Sequence, residues 1–141
     1  MSKLQLIRGF RNLKIGENQL LRVKKVSYDP KFNKCQVTFE DADGGTQTET
    51  FNFNGKKKGE INEVALGIFS TICKCVTHDF TDREIEVESI EGGYIMADVY
   101  EQKVDQTDEQ GNVTDTKKYI HLRNWKEAEE TFADDDIDGY L

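Results

Sequence analysis

No run of about 18 apolar residues occurs in this chain, so no segment is expected to cross a membrane as a helix. The opening residues, "MSKLQLIRGFRNLKIG", carry charges at Lys3, Arg8, Arg11 and Lys14. They lack the unbroken apolar stretch of a secretory signal. Cysteine is scarce and odd in number: Cys35, Cys73 and Cys75. That count argues against a disulfide framework and for a reducing compartment, so a cytoplasmic location is expected. Pro30 is the one proline in 141 residues. There is no glycine-rich phosphate loop, dinucleotide fingerprint or Ser/His/Asp set. The expectation is a protein that is not an enzyme and needs no cofactor or metal.

The length fits one domain, able to bury about two thirds of the surface its unfolded chain exposes. Charge is plentiful but unevenly placed. Residues 1–58 hold twelve Lys/Arg against six Asp/Glu, residues 59–126 hold seven against fourteen, and residues 127–141 hold none against seven. The net charge of −8 therefore conceals a cationic first part. Such a chain has one end for an anion and another for a basic partner.

Periodicity divides the chain. Residues 20–28 read as a strand in which Leu21 and Val23 alternate in one phase, Val26 and Tyr28 in the other. A β-bulge near Lys24 and Lys25 reconciles them. "DPKFN" is a turn. Cys35, Val37 and Phe39 alternate in a second strand, "DADGG" is a hairpin turn, and residues 46–53 form a third strand. The period then lengthens: Val64, Ala65, Ile68, Phe69, Ile72, Cys73 and Val76 mark one face of a helix started by Asn62 or by Gly59-Glu60. Residues 79–92 are acidic and irregular. Residues 94–100 alternate again, with Ile95, Ala97 and Val99 inward. A polar stretch, 103–116, precedes a last strand in which Ile120 and Leu122 face in while Tyr119, His121 and Arg123 face out.

The predicted fold class is therefore mainly β. Five strands with one helix between the third and fourth is the order of the OB-fold, a small five-stranded barrel that commonly binds oligonucleotides. A curved sheet with one packed helix shares the pattern. The nucleic-acid-binding domain would cover residues 1–126. Residues 127–141 would be a disordered acidic tail, with too little apolar content to pack.

The cations of the first part interleave with aromatics. Arg22, Lys24 and Lys25 lie on the first strand, Lys31 and Lys34 flank the first turn, and Lys56, Lys57 and Lys58 follow the third strand. Tyr28 and Phe32 border the first turn, and Tyr119 shares an outward face with Arg123. Unpaired nucleic acid asks for this combination, since cations neutralise phosphates and exposed rings stack on bases whatever the sequence. The plainer readings are a solvated surface for the lysine run and core positions for Phe39, Phe51 and Phe53.

The chain closes on "DDDIDGYL". Four carboxylates surround Ile137, and Tyr140 and Leu141 follow. Solubility alone does not ask for those apolar residues. Acid with an apolar tip suits a basic-rimmed hydrophobic pocket on a partner. Its charge density also lets it compete with phosphate for the chain's own cations. The segment resembles the acidic C-terminal tip of bacterial and phage single-stranded DNA-binding proteins, which often reads Asp-Asp-Asp-Ile-Pro-Phe. Asp134, Asp135, Asp136 and Ile137 match that pattern. Asp138, Gly139, Tyr140 and Leu141 stand where the Pro-Phe end is absent. The resemblance implies that the tip recruits replication, recombination and repair proteins, with Asp138, Tyr140 and Leu141 completing the contact. The body, in "NLKIGENQLLRVKKVSYDPKFNKCQVTFEDADG", is similar to small phage proteins of Gram-positive hosts suspected to be OB-type single-strand binders. No strict single-strand-binding signature occurs in it.

Two other chemistries have thinner support. Cys73 and Cys75 on a helix point about 200° apart, and Cys75 with His78 supplies only two of a zinc site's four ligands. Asp98, Glu101 and Lys103 resemble a metal-nuclease arrangement, but their spacing is too short for it. The expectation is thus a sequence-independent single-stranded DNA-binding protein, phage-encoded, acting in replication and recombination. Self-association is compatible with the sequence. The alternative is a protein-interaction module, an assembly or host-takeover factor.

Overall fold

A computed structural model describes residues 12–132. Five antiparallel strands form one sheet: β1 (Gly16–Asp29), β2 (Lys34–Glu40), β3 (Thr46–Asn52), β4 (Tyr94–Thr107) and β5 (Val113–Glu127). A single helix, α1 (Glu63–Thr77), joins β3 to β4, with a 3₁₀ turn at Val87–Ile90 before β4. The strand order is β3-β2-β1-β4-β5. Among the described residues no helix is long and apolar enough to cross a membrane.

The alternation in β1 changes phase where expected. Its register with β2 shifts between Val23 and Lys25, a bulge that lets Leu21, Val23 and Val26 all reach the core. The local backbone finds partners outside the ladder, as buried amides must. Val26 N donates to Glu91 Oε1 at 2.8 Å. Val23 N donates to Gly93 O at 2.8 Å, and Gly92 N to Val23 O at 2.7 Å.

The core forms on one face of the sheet, from Cys35, Val37 and Phe39 of β2 and Ile95, Ala97 and Val99 of β4. Phe51 and Phe53 belong to it too. Each ring lies against Phe69 of α1, at 5.6 and 5.4 Å between centroids. Helix α1 begins at Asn62, whose side chain accepts from Ala65 N, as an N-cap should. Glu63 in its first turn and Lys74 in its last complement the helix dipole. Its buried arc holds Phe69, Ile72, Cys73 and Cys75. Val64 and Ile68, expected on that arc, are 74% and 40% exposed. The helix packs chiefly on β5 with lesser contact to β3 and β4, so its first turns overhang the sheet.

Three expectations change. The five-stranded barrel is not closed: no backbone pairing joins β3 to β5 among the described residues. The two edges approach, with Gln47 Nε2 donating to Ile120 O at 3.2 Å across the gap and Trp125 of β5 lying 5.1 Å from Phe39. Residues 103–116 are not a plain connection. They extend β4 and β5 into an exposed two-stranded ribbon, paired from Gln102↔Tyr119 out to Thr107↔Val113. Its turn is shaped by Asp108, whose Oδ1 accepts from Gln110 N and Asn112 N, both at 2.9 Å. A ribbon with no buried face shows no apolar alternation. Finally, the expected tail packs in part. Glu127 still belongs to β5, Ala128 and Phe132 are buried, and the Phe132 ring stands edge-on to Tyr94 at 5.1 Å.

Candidate nucleic-acid interface

The β1–β2 turn is built by local side-chain bonds. Asp29 Oδ1 accepts from Lys31 N at 3.0 Å. Asn33 adopts a left-handed backbone, φ 51°, which asparagine tolerates better than most residues. An amide relay then ties this turn to the start of the β3–α1 loop. Tyr28 OH donates to Asn33 Oδ1 at 2.6 Å. Asn33 Nδ2 donates to Asn54 Oδ1 at 3.3 Å, and Asn54 Nδ2 to Phe32 O at 3.1 Å. Phe53 N closes the link by donating to Asn33 O at 3.0 Å.

This relay gathers seven of the expected site residues at one end of the sheet. Tyr28, Lys31, Phe32 and Lys34 come from the turn. Lys56, Lys57 and Lys58 come from the loop that Asn54 opens, and all three are exposed. The Phe32 ring is 52% exposed, with Lys31 Nζ 5.3 Å and Lys34 Nζ 5.9 Å from its centroid. A half-exposed ring with two cations close to it offers a stacking surface beside two phosphate neutralisers.

From this end the outward face of β1, β2 and β3 continues as a polar strip. Lys25 pairs with Thr38, Ser27 with Gln36, and Asp29 with Lys34. Thr48 and Thr50 lie opposite Thr38 and Gln36 on β3. The hydroxyls of Thr38 and Thr48 meet at 2.8 Å. A depression of about 210 Å³ opens among Ser27, Asp29, Lys34, Gln36 and Thr50. Seven strand residues at β spacing make the strip about 20 Å long.

The remaining expected residues are placed differently. Lys24 is exposed at the bulge. Arg22 is engaged: its Nε donates to Glu40 Oε1 at 2.7 Å, and its guanidinium lies 5.3 Å over the Phe132 ring. Tyr119 and Arg123 belong to a second group on β4 and β5. There Arg123 sits 4.3 Å over the Tyr100 ring, Tyr100 lies 5.3 Å from His121, and Tyr119 is 46% exposed. Asp134, Asp135, Asp136, Ile137, Asp138, Tyr140 and Leu141 lie outside the described residues.

The residues weighed for other chemistry are occupied. Burial, reinforced by Glu88, pushes the Cys35 thiol up to about 11. Burial, with Cys35 nearby, pushes Cys73 to about 12. His78 caps α1 with a left-handed backbone, and its Nδ1 pairs with Glu127. Asp98 accepts from Asn18 N at 2.9 Å and from Asn124 Nδ2 at 2.7 Å. Its carboxyl is held below the usual range by those two bonds, Asn124's first. No group of three or more metal-binding side chains occurs among the described residues. The apolar cleft of about 360 Å³ between α1 and residues 81–87 has Lys74 and Arg83 at its rim. Both are paired, with Asp82 and Asp79, which leaves little charge there for a polyanion.

Comparison with protein-family models and with curated proteins finds no match to this chain.

Proposed function

We propose that the protein binds single-stranded DNA without sequence preference, through an OB-type body. The observation that carries this reading is the exposed Phe32 ring flanked by Lys31 and Lys34 and tied through Asn54 to the Lys56–Lys58 loop. An unpaired strand enters at this end, stacks a base on Phe32, and runs along the polar outward strip of β1–β3. The OB assignment draws support from the strand order, which is that of a five-stranded barrel opened between β3 and β5, with its helix between the third and fourth strands. Tyr119 and Arg123, on the ribbon and its root, provide a second contact for the same strand. The protein works in the cytoplasm of a bacterial or phage-infected cell, in replication or recombination. Its acidic end recruits partner proteins rather than catalysing any step.

Titration with a labelled oligothymidine tests the reading. The strand should bind more tightly than a duplex of equal length and weaken as salt rises. The slope of log K against log salt should be about −3 to −4 if Lys31, Lys34 and Lys56–Lys58 each neutralise one phosphate. A protein-interaction module, the second reading, is favoured by the apolar outer side of α1, where Val64 is 74% and Leu66 41% exposed. That module would leave the oligothymidine unbound at every salt concentration.

A further inference from the structure

The gap between β3 and β5 contains a polar atom that the described residues leave without a partner. Glu49 points to the core side of β3, opposite buried Val37, yet it stands on the sheet's open edge. Its Oε1 is enclosed and has no hydrogen-bond partner among the described residues. His121 Nε2, on β5, is also enclosed and unpartnered among the described residues, but its ring lies against Tyr100 on the outward side. The two residues belong to one electrostatic neighbourhood: burial raises the Glu49 carboxyl, opposed by Gln47's hydrogen bond and then by the His121 imidazole. An orphaned polar atom at an open sheet edge is costly, and a native fold normally supplies it with a partner.

Glu49 lines a cleft of about 260 Å³. Its walls are the flat or apolar side chains of Phe51, Ile68, Leu122 and Trp125, with Glu49 and Arg123 at the polar side. A flat apolar body with donors on one edge fits such walls. Carboxyl torsions are broad and two-fold, so a small rotation presents either Glu49 oxygen to the cleft. Guanine carries N1–H and an exocyclic N2–H side by side, matching the two acceptors of a carboxylate. Thymine has one N–H between two carbonyls, which a carboxylate repels.

We propose that the β3–β5 cleft is a base-reading subsite that admits one unpaired guanine, with Glu49 accepting its N1–H and N2–H. This inference rests on the single-strand reading above. It adds a local preference to a surface that otherwise grips any sequence. Trp125 forms one wall of the cleft, so it reports occupancy directly.

The test compares three oligothymidines at one salt concentration: unmodified, with one central guanine, and with one central inosine, which keeps N1–H and O6 but lacks the exocyclic amine. The guanine strand should bind about tenfold more tightly than the unmodified strand, the scale of one good bidentate contact. The inosine strand should lose most of that gain, and only the guanine strand should strongly quench Trp125. Glu49→Leu, which replaces an unpaired carboxylate by an apolar group among apolar neighbours, should fold and should bind all three strands equally. Equal affinity of the native protein for all three strands would overturn the subsite and leave general strand binding intact. A guanine preference that survives Glu49→Leu would overturn the role of Glu49. Failure of every strand to bind would sink the single-strand reading and the subsite together.

Discussion

Phe32 shows why exposure at a single residue carries more weight here than composition. An aromatic ring 52% open to water beside two lysines contributes little to folding, so its removal separates binding from stability. Phe32→Ala should weaken oligothymidine binding by about 1–3 kcal/mol, the usual scale of one base stack, while leaving the thermal unfolding midpoint within about a degree. Fluorescence titration and a melting curve on the same sample check both halves. The cysteines give the opposite case. With Cys35 at about 11 and Cys73 at about 12, the folded chain keeps thiol protons that the unfolded chain releases from about pH 8.5. Burial of these thiols therefore costs nothing below pH 8. Stability falls as pH rises from about 9 toward 12, because the unfolded state binds fewer protons there. Urea midpoints at pH 7, 9 and 10 should decline in that order. A thiol reagent at pH 8 should modify Cys35 and Cys73 only after unfolding.

Elements with a buried face were legible in the sequence, and elements without one were not. Cys35, Val37 and Phe39 alternate because β2 has a wet side and a dry side, and the phase change in β1 announced its bulge. Helix α1 was readable from its cap and its spacing, though not the exposure of Val64 and Ile68, which follows from its overhang. The ribbon of β4 and β5 escaped because cross-strand pairs such as Lys103↔Lys118 leave no apolar stripe. Its signals were the Thr, Val and Tyr content and the Asp108–Gly111 turn. Phe132 escaped because one ring among acids looks like tail until Tyr94 and Arg22 are seen beneath it. At the site, the lysines and rings were legible, but the Asn33–Asn54 relay that gathers them depends on contacts across 21 residues. Asn62 joins two elements: Oδ1 caps α1 at Ala65 N, 3.2 Å, and Nδ2 donates to Asn52 O of β3 at 3.0 Å. Asn62→Ala should destabilise the fold by about 0.5–2 kcal/mol, read as a lower urea midpoint with an unchanged slope.

Across the whole molecule, opposite charges are separated along the chain. The cations collect at the β1–β2 turn and the Lys56–Lys58 loop, whereas residues 127–141 carry seven acids and no base. Because Phe132 packs on the sheet, the informative truncation begins after it. Removing residues 133–141 deletes four aspartates and spares the packed segment. Strand affinity should stay the same or rise, most visibly at low salt where screening is weakest, and partner recruitment should be lost. A large fall in affinity would mean that the acidic end takes part in strand binding.

One unpaired strand is expected to lie on the turn cluster and the outward strip of β1–β3. Mapping backbone amide shifts of the intact protein during addition of oligothymidine tests it most directly. The largest shifts should fall at residues 25–38 and 48–58, centred on Phe32 and Lys34, with smaller ones at Tyr119 and Arg123. Shifts confined to α1, or none at all with the strand in excess, would contradict that placement.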